Sequence, residues 1–339
     1  MSTSSGRSLV LGDGGWGTAI AMSLHRAGRE VTVWSIDADY AAEVVRTRTN
    51  SKFLPGLEIP AEIRWTGKRE EALDGAVEYY SVIPTQFVRT TVESFDGALS
   101  ELPAVSCSKG LELSTFRRPS EILLEAAGAS AGMAVLSGPS HAEETGHGLA
   151  TSLVIASVDP ELAERIQHRI SGPGLRVYTS ADITGVELGG ALKNVIAVAA
   201  GVADGIGLGD NAKAALVARG LVEMGRFGQA FGADRDTFFG LSGAGDLMVT
   251  CYSRHSRNRS FGERIGKGES LEKIRASTEK VAEGVWTCKA LAEVAAERGI
   301  EMPITQQLYS ILFAGVDPAE AVSRLMQRPW RSELDQSNC

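Results

Sequence analysis

Near its start the chain runs Leu9-Val10-Leu11, then Gly12-Asp13-Gly14-Gly15-Trp16-Gly17, then a helical stretch from Thr18 to Ala27 closed by Gly28, then Val31-Thr32-Val33-Trp34. The order is buried strand, glycine turn, helix, strand. In that context Gly-x-Gly-x-x-Gly has a physical meaning: the glycines permit a tight turn and let a pyrophosphate approach the N-terminus of the helix. The stretch therefore predicts a parallel α/β sheet and points to a dinucleotide. A glycine-rich turn that only packs a helix on a sheet is the alternative. Asp37, just past the second strand, reads either as an acceptor for the ribose hydroxyls of NAD or as a helix cap.

Further strands are expected at residues 63–65, 79–83, 105–107, 135–136, 153–156 and 176–178, with helices at 40–49, 120–127 and 160–170, while Phe53-Leu54-Pro55-Gly56 reads as a loop. From Asp182 onward the strand signal nearly disappears. Helical patterns occupy residues 213–231, 259–266, 271–276, 287–298, 305–313 and 318–325. The expected organisation is a Rossmann-like, doubly wound dinucleotide-binding domain over residues 1–181, followed by an all-α substrate-binding domain over 182–339. A chain of 339 residues suits two domains. No low-complexity linker separates them, so a helix is expected to pass directly from one into the other.

A formal net charge of -8 argues against non-specific binding to nucleic acid or anionic lipid. Cys107, Cys251, Cys288 and Cys339 are scattered and read as free thiols in a reducing compartment. His141 with Glu143 and Glu144 lacks the further ligand spacing of a metal site, so no metal is expected. The first residues carry no apolar signal core, and no uninterrupted apolar run approaches the roughly 18 residues of a membrane span. These features predict a soluble cytoplasmic protein with no nucleic-acid or membrane partner.

The residues that carry chemistry fall in three places. Gly185 to Gly201 is an almost apolar helical segment whose only strongly polar members are Glu187, Lys193 and Asn194. Most of its circumference should be buried, so Lys193 either snorkels to water or sits in a polar pocket, where lost hydration lowers its pKa toward a range useful for proton transfer. The loops Pro84-Thr85-Gln86, Ser108-Lys109-Gly110 and Ser137-Gly138-Pro139-Ser140 follow strands and should gather on the same rim as Gly12 to Gly17. Lys109 there is an anion contact or a solvated lysine. Finally, Ser242-Gly243-Ala244-Gly245-Asp246 is a glycine turn ending in a carboxylate, with Thr250 after it. Arg254, Arg257 and Arg259 stand beside Ser253, Ser256 and Asn258 at a helix start. That group makes a phosphate site or a solvated basic cap.

Gly12-x-Gly14-x-x-Gly17-Thr18-Ala19, Phe53-Leu54-Pro55, Lys109-Gly110, Gly138-Pro139-Ser140-x-Ala142-x-Glu144, Gly189-Gly190-Ala191-Leu192-Lys193-Asn194, Gly243-x-Gly245-Asp246 and Ser256-Arg257-Asn258-Arg259 follow one another over almost the whole chain. Together they resemble the bacterial NAD(P)-dependent glycerol-3-phosphate dehydrogenases. The resemblance implies reversible hydride transfer between sn-glycerol 3-phosphate and dihydroxyacetone phosphate, in a homodimer supplying phospholipid synthesis. It implies Lys193, Lys109 and Asp246 as the catalytic group, with Asp246 positioning Lys193 or bonding the substrate hydroxyl. Substrate contacts would come from Lys109, Gly138, Ser140, Lys193, Asp246, Ser256, Arg257 and Asn258. Cofactor contacts would come from Gly12, Gly14, Gly15, Trp16, Gly17, Ile36, Lys109, Ala142, Arg257, Val281 and Glu283. Many members carry Arg or His where this chain has Ile36, a difference that puts NADP preference in doubt and leaves NAD or NADP open. Gly15-Trp16 replaces the Ser-Tyr often found in the turn. A related β-hydroxyacid or phosphogluconate dehydrogenase could share a Lys-Asn helix, and a non-catalytic dinucleotide sensor could share the fold.

Overall fold

The computed structural model describes residues 6–277, 282–330 and 332–333. Its contacts divide it into two compact units, Met1–Glu112 with Arg117–Ile183, and Leu113–Phe116 with Thr184–Cys339. The short excursion into the second unit was not expected. It is anchored by Phe116, whose ring lies 6.2 Å from Phe227 and 6.0 Å from Phe231.

The first unit contains strands β1 (Arg7–Leu11), β2 (Val31–Trp34), β3 (Thr49–Asn50), β4 (Leu54–Glu58), β5 (Arg64–Thr66), β6 (Ala76–Ser81), β7 (Ala104–Ser106), β8 (Met133–Ser137), β9 (Thr151–Ala156) and β10 (Leu175–Ser180). Eight of them form one sheet in the order β10-β9-β8-β7-β6-β1-β2-β5. From β1 the chain moves outward through β2 to β5, then returns to the other flank of β1 with β6 and continues to β8. That reversal is the switch point of a doubly wound sheet, where ligands bind beyond the carboxyl ends of the strands. Leu9 and Leu11 point into one apolar cluster and Val10 into the other, all fully buried, so β1 is covered on both faces. Burial of each such side chain is worth about 1.5–3 kcal/mol.

Several local expectations need correction. The sheet is not parallel throughout, because β9 pairs with β8 antiparallel. Phe53 to Gly56 is not simply a loop, since Leu54–Glu58 forms a two-stranded antiparallel pair with Thr49–Asn50. Pro55 is tolerated there because a two-stranded ribbon has free edges. Pro84 starts a helix, Thr85–Glu93, instead of a longer loop.

The second unit is helical among its described residues. Its centre is the helix Ile183–Gly205, in which every residue from Gly185 to Ala203 is buried. This helix has the length and mean hydropathy of a membrane span, but Glu187 and Lys193 interrupt its apolar run and its apolar window is entirely covered by protein. Close packing explains its glycines. A Cβ on Gly201 would stand 2.0 Å from the Arg259 carbonyl oxygen, and one on Gly262 would stand 2.0 Å from that of Val198. The helices Ile183–Gly205 and Arg257–Gly266 thus meet backbone to backbone, which fixes the arginine-bearing segment against the helix that carries Lys193.

Candidate active site

In the first unit, the glycine turn opens the helix Gly15–Arg26, whose first turn has no acidic residue and whose N-terminus no side chain caps. Its N–H groups and dipole are oriented for an anion. A Cβ on Gly17 would lie 2.0 Å from the Gly12 carbonyl oxygen, and one on Gly15 would lie 2.8 Å from that of Phe53. The turn and the β3–β4 ribbon therefore demand those two glycines. Gly14 is different, for a Cβ there would meet nothing within 4 Å. The protein itself places no steric demand on that position, which is the one a pyrophosphate must approach closely. The residues present fit a dinucleotide. Trp16 packs against the core cluster below the turn. Ala142 lies beside Gly15, its Cβ 3.6 Å from the position a Gly15 side chain would take.

The three strand-end loops converge as expected. Ser108 Oγ donates to the Ile83 carbonyl at 2.5 Å, and Thr85 Oγ1 donates to the Lys109 carbonyl at 3.0 Å. Lys109 Nζ and Ser140 Oγ both donate to the Gly138 carbonyl, at 3.2 and 3.0 Å. Lys109, Gly138 and Ser140 are thus brought together on one oxygen. Ile36 is 80% exposed just past β2. Asp37 caps the helix Ala38–Thr47, accepting from Tyr40 N–H at 3.0 Å, which is the second of its two readings.

In the second unit Lys193 does not snorkel. Only 6% exposed, it donates from Nζ to Asp246 Oδ1 at 2.7 Å and to Thr250 Oγ1 at 2.8 Å. The Thr250 hydroxyl proton goes to the Asp246 carbonyl at 2.6 Å, leaving its oxygen to accept from the ammonium. Asp246 begins the helix Asp246–Tyr252 after a π-turn over Leu241–Gly245. Gly189 lets that turn approach, since a Cβ there would stand 2.7 Å from the Ser242 carbonyl oxygen. Thr250 was absent from the expected catalytic group. Its spacing of four from Asp246 on one helix is the signal that points to it.

The arginine island resolves into distinct roles. Ser256 is the N-cap of Arg257–Gly266, its Oγ accepting from Arg259 N–H at 3.2 Å. Arg259 is consumed by ion pairs with Asp204 at 2.7 Å and Glu263 at 3.2 Å, so it does not belong to a free phosphate grip. Asp204 also holds Lys213 at 2.8 Å. Arg257 is exposed at the first turn. Asn258 is a brace: its Nδ2 donates to Asn194 Oδ1 at 2.9 Å, and its Oδ1 accepts from Gly284 N–H at 3.0 Å. Glu283 is exposed at the start of the helix Glu283–Arg298. Val281 lies outside the described residues.

Comparison with known proteins fits this arrangement. The pattern of the NAD-dependent glycerol-3-phosphate dehydrogenase N-terminus matches residues 9–163, and that of the C-terminus of the same family matches residues 182–323. The chain belongs to this family. Among its glycerol-3-phosphate dehydrogenase [NAD(P)+] relatives, that of Geobacillus kaustophilus is 46% identical over 332 residues, covering 97% of this chain and 96% of the relative. That of Pelotomaculum thermopropionicum is 44% identical over 338 residues, 98% of this chain and 96% of the relative. The crystal structure of glycerol-3-phosphate dehydrogenase from Coxiella burnetii superposes with a TM-score of 0.89 at 34% identity, over 95% of this chain and 99% of that one. The family assignment thus covers both units.

Proposed function

We propose that the chain is an NAD(P)-dependent glycerol-3-phosphate dehydrogenase that reversibly transfers a hydride between sn-glycerol 3-phosphate and dihydroxyacetone phosphate. The observation that carries the reading is the buried ammonium of Lys193 held by Asp246 and Thr250, in a chain of this family. The first unit takes the dinucleotide and the helical unit takes the substrate. The nicotinamide, when bound, supplies the hydride.

Reduction of the ketone builds negative charge on its oxygen. Lys193 stabilises that charge and donates a proton from Nζ, a contribution of about 10²–10⁴-fold for a positioned acid. Asp246 and Thr250 aim the ammonium by accepting from two of its N–H groups. Lys109 adds a second cation and contacts both substrate and cofactor, with its own position set by the Gly138 carbonyl. Arg257 and the N–H groups at the start of its helix grip the phosphate. Ser256 fixes that helix start, while Asn258 keeps one amide hydrogen beyond its bond to Asn194. Holding the phosphate away from the reacting carbon supplies orientation.

The product, sn-glycerol 3-phosphate, feeds phospholipid synthesis in this reading, and the enzyme works as a cytoplasmic homodimer. The deciding experiment is a pair of initial-rate curves following NADH and NADPH oxidation with dihydroxyacetone phosphate. Oxidation of neither cofactor, or turnover only with β-hydroxyacids, would reject the assignment.

A further inference from the structure

In a nucleotide-binding sheet of this kind, discrimination between NAD and NADP is set at the carboxyl end of β2, where a carboxylate accepts the ribose hydroxyls or an arginine holds the 2′-phosphate. Here that end carries no arginine: Trp34 and Ser35 are buried, Ile36 is apolar, and the exposed Asp37 gives one carboxylate oxygen to the Tyr40 N–H as a helix cap. A second carboxylate, held in place by the sheet, reaches the tip of β2 from the neighbouring strand. Ser35 Oγ donates to Asp13 Oδ2 at 2.7 Å, and Asp13 is the residue between the first two glycines of the turn after β1.

The position of Asp13 is fixed by more than that bond. Its carbonyl accepts from Asn50 Nδ2 at 2.7 Å. Asn50 is fully buried, donates also to Thr18 Oγ1 at 2.7 Å, and accepts at Oδ1 from Tyr40 O–H at 2.7 Å. A network running from the helix after β2 through the β3–β4 ribbon to the helix after β1 therefore locks the turn residue in place. The Asp13 carboxylate takes the Ser35 hydroxyl on one oxygen and is also bonded by its own backbone N–H, with Lys52 as the nearby cation.

We infer that Asp13 is the cofactor-specificity residue of this chain, accepting the adenosine ribose hydroxyls and excluding a 2′-phosphate, so that NADH is preferred over NADPH. The inference rests on the dehydrogenase reading above and names the selectivity of that same site. A ribose hydroxyl donates to the carboxylate. A 2′-phosphate carries only acceptors and up to two negative charges, and meets Asp13 with Asp37 close by. Both carboxylates oppose it by like-charge repulsion.

Cations on this rim, among the described residues, include Lys52, Lys68 and Arg69. Lys52 lies over the rings of Tyr40 and Phe53, 5.7 and 5.0 Å from their centroids. Lys68 is paired with Glu71 at 2.8 Å. Arg69 shares with Ile36 and Lys68 a cleft of about 420 Å³ and has Glu70 beside it. Lys68 and Arg69 are the groups that would favour the phosphate if Asp13 did not decide the matter.

The test is equilibrium titration of the full chain with NADH and with NADPH, without substrate, followed by calorimetry. The expected result is NADH binding at least about tenfold tighter, with the ratio falling at least about fivefold in Asp13→Asn, chiefly because NADPH binds more tightly. Asp13→Ala is the second variant, and melting curves of both report folding. A wild-type chain that prefers NADPH overturns the inference without recourse to any variant. So does a ratio unchanged in both folded variants, or one that collapses only in Lys68→Ala with Arg69→Ala. All three outcomes leave the dehydrogenase reading standing, whereas a chain that binds neither dinucleotide overturns both.

Discussion

Lys193 Nζ and Asp246 Oδ1 lie 2.7 Å apart, with the two side chains 8% and 2% exposed. Removing one member of such a buried pair strands the other charge, at a cost of about 3–5 kcal/mol, whereas replacing both by apolar groups of similar size is often neutral. Lys193→Met should therefore lose both stability and turnover. Lys193→Met with Asp246→Leu should recover most of the stability, measured by urea unfolding, and none of the NADH oxidation. Recovery of turnover in the double variant would remove Lys193 from the chemistry.

Asn258 ties three elements together, so its loss should be felt beyond its own position. Asn258→Asp replaces the N–H donor that faces Asn194 Oδ1 with an acceptor and sets two oxygens against each other. A buried polar group left without its partner costs about 1–3 kcal/mol. The expected outcome is a loss of that size in stability and a raised KM for dihydroxyacetone phosphate, with NADH affinity little changed. An unchanged KM in a folded variant would separate the brace from substrate binding.

The parts of this architecture that could be read from the sequence are those written in local pattern. Leu9 to Trp34 combines strand, glycine turn, helix and strand in one stretch, and the structure forms each of them there. The helix Pro160–Ile170 has its proline and its Asp159 cap in place, and it too is found where expected. What could not be read depends on which segments meet. The antiparallel sense of β9 is not encoded in its own alternation, and the Leu54–Glu58 strand was hidden by Pro55 and Gly56. Lys193 illustrates the same limit at the site: its burial followed from its neighbours, but the choice of a polar pocket over snorkelling needed Thr250 and Asp246 from a distant helix. Asp13 and Ser35 are 22 residues apart and became partners only because β1 and β2 lie side by side.

Glu223 gives the stability a pH dependence. It is buried, and burial pushes its carboxyl up from the ordinary 4.5 to about 7, against the opposing pull of the Ile304 and Thr305 N–H groups and the Thr305 hydroxyl that it accepts from. A carboxyl whose folded pKa is raised binds more protons folded than unfolded across that interval. Its contribution is therefore full below about 4.5 and is lost as pH rises to about 7. The loss is on the order of 3 kcal/mol at most. Glu223→Gln mimics the neutral form, so the stability of the wild type relative to this variant should fall between pH 5 and pH 8, as about the pKa interval requires. Urea unfolding of both proteins at the two pH values measures it, and a constant difference would show that Glu223 is ionised throughout.

Gly14 and Gly17 belong to one motif, yet they should respond oppositely to the same substitution. At Gly17 a methyl group would stand 2.0 Å from the Gly12 carbonyl oxygen, too close for any contact, so Gly17→Ala must displace the turn or the helix behind it. Strain of this kind costs about 1–3 kcal/mol and should appear as a lower melting temperature whether or not cofactor is present. At Gly14 the backbone has φ -61° and ψ 175°, a conformation open to alanine, and a methyl group would meet nothing within 4 Å. Gly14→Ala should leave the melting temperature of the free protein unchanged or slightly higher, because alanine has less unfolded-chain entropy to lose. Its methyl group would nevertheless occupy the space that a pyrophosphate needs in order to reach the helix N–H groups, so NADH affinity should fall by at least about tenfold. Thermal melting with and without NADH resolves the two effects. If Gly14→Ala bound NADH as tightly as the wild type, the pyrophosphate would have to sit elsewhere than at the start of the helix Gly15–Arg26.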